Sequence, residues 1–242
     1  MYSSHGLLVE PSDDTVLWRY MDLAKFLALL DSNCLHFSNL STFDDPFEGH
    51  PPRKIIEAFT DIPPGLDNIA ASKRKKEITD NLHFFSTNRK VICASCWHMN
   101  SVENAGMWAQ YLRTGEGIAI RTTFGAVKKA LSIPSNNFAI TGGIVKYVDY
   151  ETFETQDINI LAWGVLKRAG FDHEREFRLL CLSPEKGLQV PVSLADLIEK
   201  IYVAPSLPTW YQALVERVAA KYEVTATVER STLLDGPTYI PR

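Results

Sequence analysis

Cysteine is scarce in this chain: four residues in 242 make no disulfide framework. A reducing, cytoplasmic setting is therefore the default. Long hydrophobic runs are missing as well, and none approaches the roughly 18 residues that a membrane span requires. The opening residues, Met1 to Gly6, lack a charged leader followed by an apolar segment, so no secretory signal is expected. Charge of one sign is not in excess either. Twenty-five Lys and Arg against 29 Asp and Glu leave a net charge of −4. No global basic field draws the protein to nucleic acid or anionic lipid. There is no internal repeat, no low-complexity tract and no glycine-rich phosphate loop of either standard type.

What is present is a large apolar share, 45% hydrophobic with 11% aromatic. That suffices for one large core, and a single domain over residues 1–242 with a helical insertion at about 51–86 is expected. Val16 to Tyr20 reads as a strand, and Asp22 can cap the helix after it, where Leu23, Phe26, Leu27 and Leu30 recur at helical spacing. Strands are expected at 35–38, 91–97, 117–124, 143–150, 188–192, 198–204 and 224–230. Helices are expected near 51–60, 66–84, 102–112, 125–131, 154–168 and 208–221. The basic run Lys73 to Lys76 reads as a solvated helix face. Strands and helices do not alternate regularly, which argues against a parallel doubly wound sheet. The fold class is α+β: a mixed, mostly antiparallel central sheet flanked by helices.

The chemistry-bearing stretch is Gly170 to Leu182, which sets Glu174 and Glu176 at the mouth of an apolar strand. Alternation along a strand puts Glu174, Glu176 and Arg178 on one face and Phe177, Leu179 and Cys181 on the other. Paired carboxylates on a rigid element suit acid/base or sugar-transfer chemistry. They equally suit a salt-bridged edge strand with Arg175 and Arg178 as partners. Arg19, on the first strand, pairs with an acid or holds a ligand anion, because an arginine is costly to bury unpaired. In the loop Phe43 to Gly49, Asp44, Asp45 and Glu48 are either oxygen ligands for a divalent ion or turn and cap residues. Cys93 and Cys96 have zinc spacing, but on a strand they point to opposite faces, and core cysteines are the better reading. Trp108 and Tyr111 share a helix face and are core residues or a stacking platform. His173 reads as a surface histidine.

The order of these motifs carries a resemblance. Leu17-Trp18-Arg19-Tyr20, Leu35-His36-Phe37-Ser38, Phe43 to Glu48, Cys96-Trp97, Met107 to Tyr111, Gly117 to Ile120 and Glu174 to Arg178 together resemble the bacterial domain-of-unknown-function family 2971, over about residues 15–205. A second resemblance is to the ADP-ribosyltransferases: an Arg on the first strand, a Ser on a middle strand and Glu-x-Glu on a later one. It implies an ADP-ribosyltransferase-like fold with NAD as substrate and no metal. Arg19 would then steady the NAD phosphates or ribose, Ser95 would brace the nicotinamide pocket, and Glu176 with Glu174 would be catalytic. Tyr20, Ser38, Trp108 and Tyr111 would complete the NAD site. The chain departs from the pattern in having Ala94-Ser95-Cys96 where Ser-Thr-Ser is usual.

Three functions follow. The first is an NAD-dependent ADP-ribosyltransferase-like bacterial toxin or phage-defence effector, with a protein or nucleic-acid target and a cognate antitoxin or defence partner. The second is a metal-dependent hydrolase or nuclease using Asp44, Asp45, Glu48 and Glu174 or Glu176. The third is a non-catalytic sensor or interaction module of a defence system, in which the same polar residues form a structural network.

Overall fold

Side chains of the first strand, β1 (Val16–Asp22), divide between two layers. Leu17 and Met21 enter the main core, whereas Trp18 and Tyr20 pack in a separate aromatic cluster. The computed structural model describes residues 1–111, 116–155 and 158–237. Of the sequence expectations, Leu112 and residues 156–157 lie outside the described residues. Asp22 accepts from the Lys25 backbone N–H at 2.8 Å and so starts α1 (Leu23–Ser32). The helix ends at Asn33, which takes the left-handed conformation that closes helices.

The chain continues through β2 (Cys34–Asn39), α2 (Arg53–Thr60), α3 (Asn68–Thr87), β3 (Ile92–Met99), α4 (Ala105–Tyr111), β4 (Gly117–Thr123) and α5 (Phe124–Leu131). Then come β5 (Thr141–Ile144), β6 (Lys146–Val148), α6 (Ile160–Gly164), β7 (Leu166–Arg168), β8 (Glu176–Leu182), β9 (Gly187–Pro191), α7 (Leu194–Leu197), β10 (Lys200–Val203), α8 (Thr209–Lys221) and β11 (Thr227–Arg230). Among the described residues, nine strands form one mixed, mostly antiparallel sheet in the order β11-β10-β4-β1-β3-β2-β9, with β8 on β3 and β5 on β8. The β10–β11 pair is parallel, and β6 and β7 form a small parallel sheet of their own.

Helices α1, α5, α7 and α8 cover one face of the large sheet and close the main core over Leu17, Phe26, Phe37, Trp97, Phe177 and Val215. On the other face α4 packs Met107 and Trp108 on Trp18 and Tyr20. The insertion between β2 and β3 brings α2 and α3, through Ile55 and Phe85, onto Trp163 of α6. Lys73, Lys75 and Lys76 are exposed as expected. Arg74 instead ties α3 to the end of α2 by donating to the carbonyls of Phe59 and Asp61.

Four expectations are corrected. The strand expected over 143–150 is two strands. After Val145, whose N–H still donates to the Glu176 carbonyl, the chain leaves β8, and Lys146 N–H bonds to the Val165 carbonyl, placing β6 beside β7. The helix expected over 154–168 is α6 alone followed by β7, because parallel pairing with β6 overrides the local helical pattern. Glu174 is not on the strand with Glu176. Residues 169–174 form a tight helical turn, and Arg175, at φ +43°, reverses the chain before β8 begins. Nor is β8 an edge strand, since it lies between β3 and β5.

Candidate functional site

The site begins with a break in the sheet. Along one edge of β3, β1 pairs only at Trp18↔His98 and Leu17↔Met99, and β2 only at Ser38↔Ala94 and Asn39↔Cys93. Among the described residues, Ser95, Cys96 and Trp97 between them have no strand partner on that edge. The reason is the fan of the two strands: β1 turns to pair with β4 and β2 with β9. Arg19 fills the gap. Its Nη1 donates to Ser95 Oγ and to the Cys96 carbonyl (3.3 Å), and its Nη2 to the His36 carbonyl on β2 (3.2 Å). The guanidinium lies 5.5 Å from the Trp97 ring centroid. Every one of these acceptors is neutral, and no carboxylate pairs with Arg19 among the described residues. Burial, opposed by Cys96 and Tyr111, lowers its pKa from the usual arginine value.

Above this gap is a cleft of about 670 Å³, within the range of small-molecule sites. Arg19, His36 and Cys96 line it, together with an aromatic wall of the stacked Tyr20 and Tyr111 and with Asp44, Phe171 and the paired glutamates. Tyr20 contacts Trp18, Trp108 and Tyr111 with ring centroids 6.2, 4.9 and 6.5 Å away.

The carboxylates form a buried network. Lys167 Nζ donates to Glu174 Oε2 at 2.7 Å and to Glu176 Oε1 at 2.5 Å, and lies 3.7 Å from Glu48 Oε1. Arg178 Nε donates to Glu176 Oε2 at 2.8 Å, while its Nη2 holds Glu48. All five side chains are nearly inaccessible. Three carboxylates against two cations leave one negative charge too many for a buried site, and a proton on Glu174 restores balance. Burial first, then the hydrogen bond and charge of Glu176, raise the Glu174 carboxyl to about 7 against the pull of Lys167. Burial opposes ionisation of Glu176 too, but Arg178 and Lys167 win and hold it well below the usual carboxylate range. Burial and the charge of Glu176 push the Cys96 thiol up, so Cys96 is no ready nucleophile. Asp45 is clamped by Arg168 through two bonds (3.1 and 3.0 Å), with the guanidinium over Phe47 and Phe171.

Among the predicted residues, Arg19, Tyr20, Ser38, Tyr111, Glu174 and Glu176 line this one cleft. Two do not. Ser95 sits behind Arg19 and holds it, and Trp108 is buried against Tyr20 with its indole N–H given to Glu103 (2.9 Å). Asp44, Asp45 and Glu48 also reach the cleft. However, cations of the protein already engage Asp45, Glu48, Glu174 and Glu176, and no metal-holding group of side chains occurs among the described residues. Cys93 faces the main core and Cys96 the cleft, so the two do not chelate together. Lys167 and His98 are the site residues that sequence reasoning missed. Lys167 lies in a stretch that reads as helix, and His98 looks like an appendage of the Cys-x-x-Cys pair. Compared with known protein-family models and with curated proteins, the chain matches none. No helix among the described residues is long and apolar enough to cross a membrane.

Proposed function

We propose that the cleft binds NAD and that the protein is an ADP-ribosyltransferase-like enzyme, acting in the cytoplasm as a toxin or defence effector on a protein or nucleic-acid target. One observation carries this reading. An arginine that no carboxylate pairs among the described residues shares a cleft with a buried glutamate pair, one member held ionised and the other raised to about 7. The motif order described above supports it.

Arg19 offers a planar fork to the pyrophosphate. Tyr111 offers a face to a planar ring, with the buried Tyr20 stacked against it. In the reaction the bond from ribose C1′ to the nicotinamide nitrogen breaks, and its electron pair neutralises the pyridinium. The ionised Glu176 stabilises the oxocarbenium-like state. The Glu174 carboxyl, raised to about 7, takes the proton of the nucleophile that attacks C1′ in the fraction of molecules where it has lost its own.

A second reading, a non-catalytic binding module, is favoured by one feature: both oxygens of Glu176 are already bonded within the protein. Incubation of the purified protein with NAD, following free nicotinamide, separates the two. Release by the wild type that is lost in Glu176→Gln supports transfer chemistry. NAD binding without release supports the module, and neither binding nor release removes NAD from the account.

A further inference from the structure

His98 is a polar side chain that the network above leaves unused. It stands on β3 between Trp18 of β1 and Glu176 of β8, its cross-strand neighbours, and so joins the aromatic wall to the carboxylates. It is 2% exposed and lines the cleft. Its Nδ1 lies 2.6 Å from the Glu174 carbonyl oxygen. A carbonyl only accepts, so Nδ1 carries the hydrogen. Burial, helped by the positive charge of Arg175, holds the ring below its ordinary pKa and therefore neutral. Nε2 is then a bare acceptor, and it has no hydrogen-bond partner among the described residues.

Buried acceptors are seldom left unmade, and because His98 lines the cleft a ligand there can supply the donor. Its chemistry is constrained. The acceptor is uncharged, which favours a neutral N–H or O–H donor over a cation. The ring of Tyr20 meets His98 edge to face at 6.2 Å and stacks with Tyr111, so the donor belongs to a flat group lying along that wall. A primary carboxamide on an aromatic ring meets both conditions.

This step rests on the NAD reading and assigns one end of that ligand. We infer that His98 Nε2 accepts a hydrogen bond from the carboxamide N–H of nicotinamide and thereby selects the carboxamide over the corresponding carboxylate. A carboxylate at this position has no hydrogen to give, and two acceptors would face each other in a site closed to water. His98 is thus a positioning and specificity residue that holds the leaving group beside Glu176.

The test compares affinities for carba-NAD, which cannot be cleaved, and for its nicotinic acid counterpart. The wild type should prefer the carboxamide by at least about tenfold, the cost of one unmade bond at a buried acceptor. In His98→Phe, which keeps a flat ring but no acceptor, the preference should collapse to within about threefold by the same reasoning. A preference that survives the substitution overturns the assignment. The second readout needs no variant: in the ¹⁵N spectrum of the wild type, the His98 Nε2 resonance should shift when carba-NAD is added, and an unmoved resonance in a saturated complex also overturns it. If the wild type binds neither dinucleotide, the NAD reading itself fails and the assignment falls with it, an outcome distinct from NAD binding that ignores His98.

Discussion

Arg178 and Glu176 stand two residues apart on one strand, and Nε of the first donates to Oε2 of the second at 2.8 Å, out of reach of solvent. The same guanidinium also holds Glu48 and the Gly164 carbonyl. Removing it leaves two buried carboxylates short of a partner. Arg178→Met should therefore lower stability by about 3–5 kcal/mol. A urea midpoint at pH 7 that stays at the wild-type value would contradict this account of the network.

The Glu174 carboxyl is raised to about 7, so the folded chain holds a proton there that the unfolded chain has already lost. Between the ordinary glutamate value and neutrality, the folded state binds more protons. The contribution of Glu174 is then full at low pH and is lost as pH rises toward 7. Glu174→Gln, which is permanently neutral and still accepts from Lys167, should gain on the wild type as pH rises. The expected difference between pH 5 and pH 8 is about 1–3 kcal/mol, after discounting for the shared charge of Glu176. Denaturation at both values measures it, and a gap that does not widen with pH counts against the shared-proton picture.

For Arg19 the expected loss has two parts. Arg19→Met removes the donor to two carbonyls and a hydroxyl at the sheet break, at a cost of about 1–2 kcal/mol of stability. It should also weaken ADP-ribose binding by at least about tenfold, because the planar fork that meets a pyrophosphate is gone. Arg19→Lys keeps the charge and loses the fork, so intermediate affinity is expected. Calorimetry that finds equal affinity in all three proteins would move the anion site elsewhere.

Gly142 lies where a Cβ would come within 2.5 Å of the Phe177 ring. Overpacking of this kind costs about 1–3 kcal/mol, so Gly142→Ala should lower the melting temperature visibly. Gly170, where nothing lies within 4 Å, is the control. Alanine there should change stability by less than about 0.5 kcal/mol. Equal effects at the two positions would sink the packing argument.

Periodicity made β1, α1, β4 and α8 legible, because each has one face in the core and strong end signals such as the Asp22 cap. It also placed Glu176 and Arg178 on one face and Phe177, Leu179 and Cys181 on the other. It failed where non-local strand pairing, rather than the local pattern, sets the course of the backbone. Lys167 meets Glu174 and Glu176 only because β7 pairs with β6, and no local pattern announces that pairing. Glu174 was misplaced because alternation assumes an unbroken strand, and the left-handed Arg175 breaks it while still delivering the carboxyl to its neighbour. Arg175, a candidate partner for the glutamates in the sequence, makes no ion pair among the described residues, whereas Arg178 makes two.

The fan of β1 and β2 away from β3 has a mechanical side. A continuous sheet carries shear through its ladder of backbone bonds. Here, for the three residues Ser95 to Trp97, that load passes on one edge through a single guanidinium that spans from β3 to β2. A guest gripping Arg19 from above would pull on a side chain that ties β1 to both β3 and β2 where their ladders part, so occupancy of the cleft and the splay of those strands become linked.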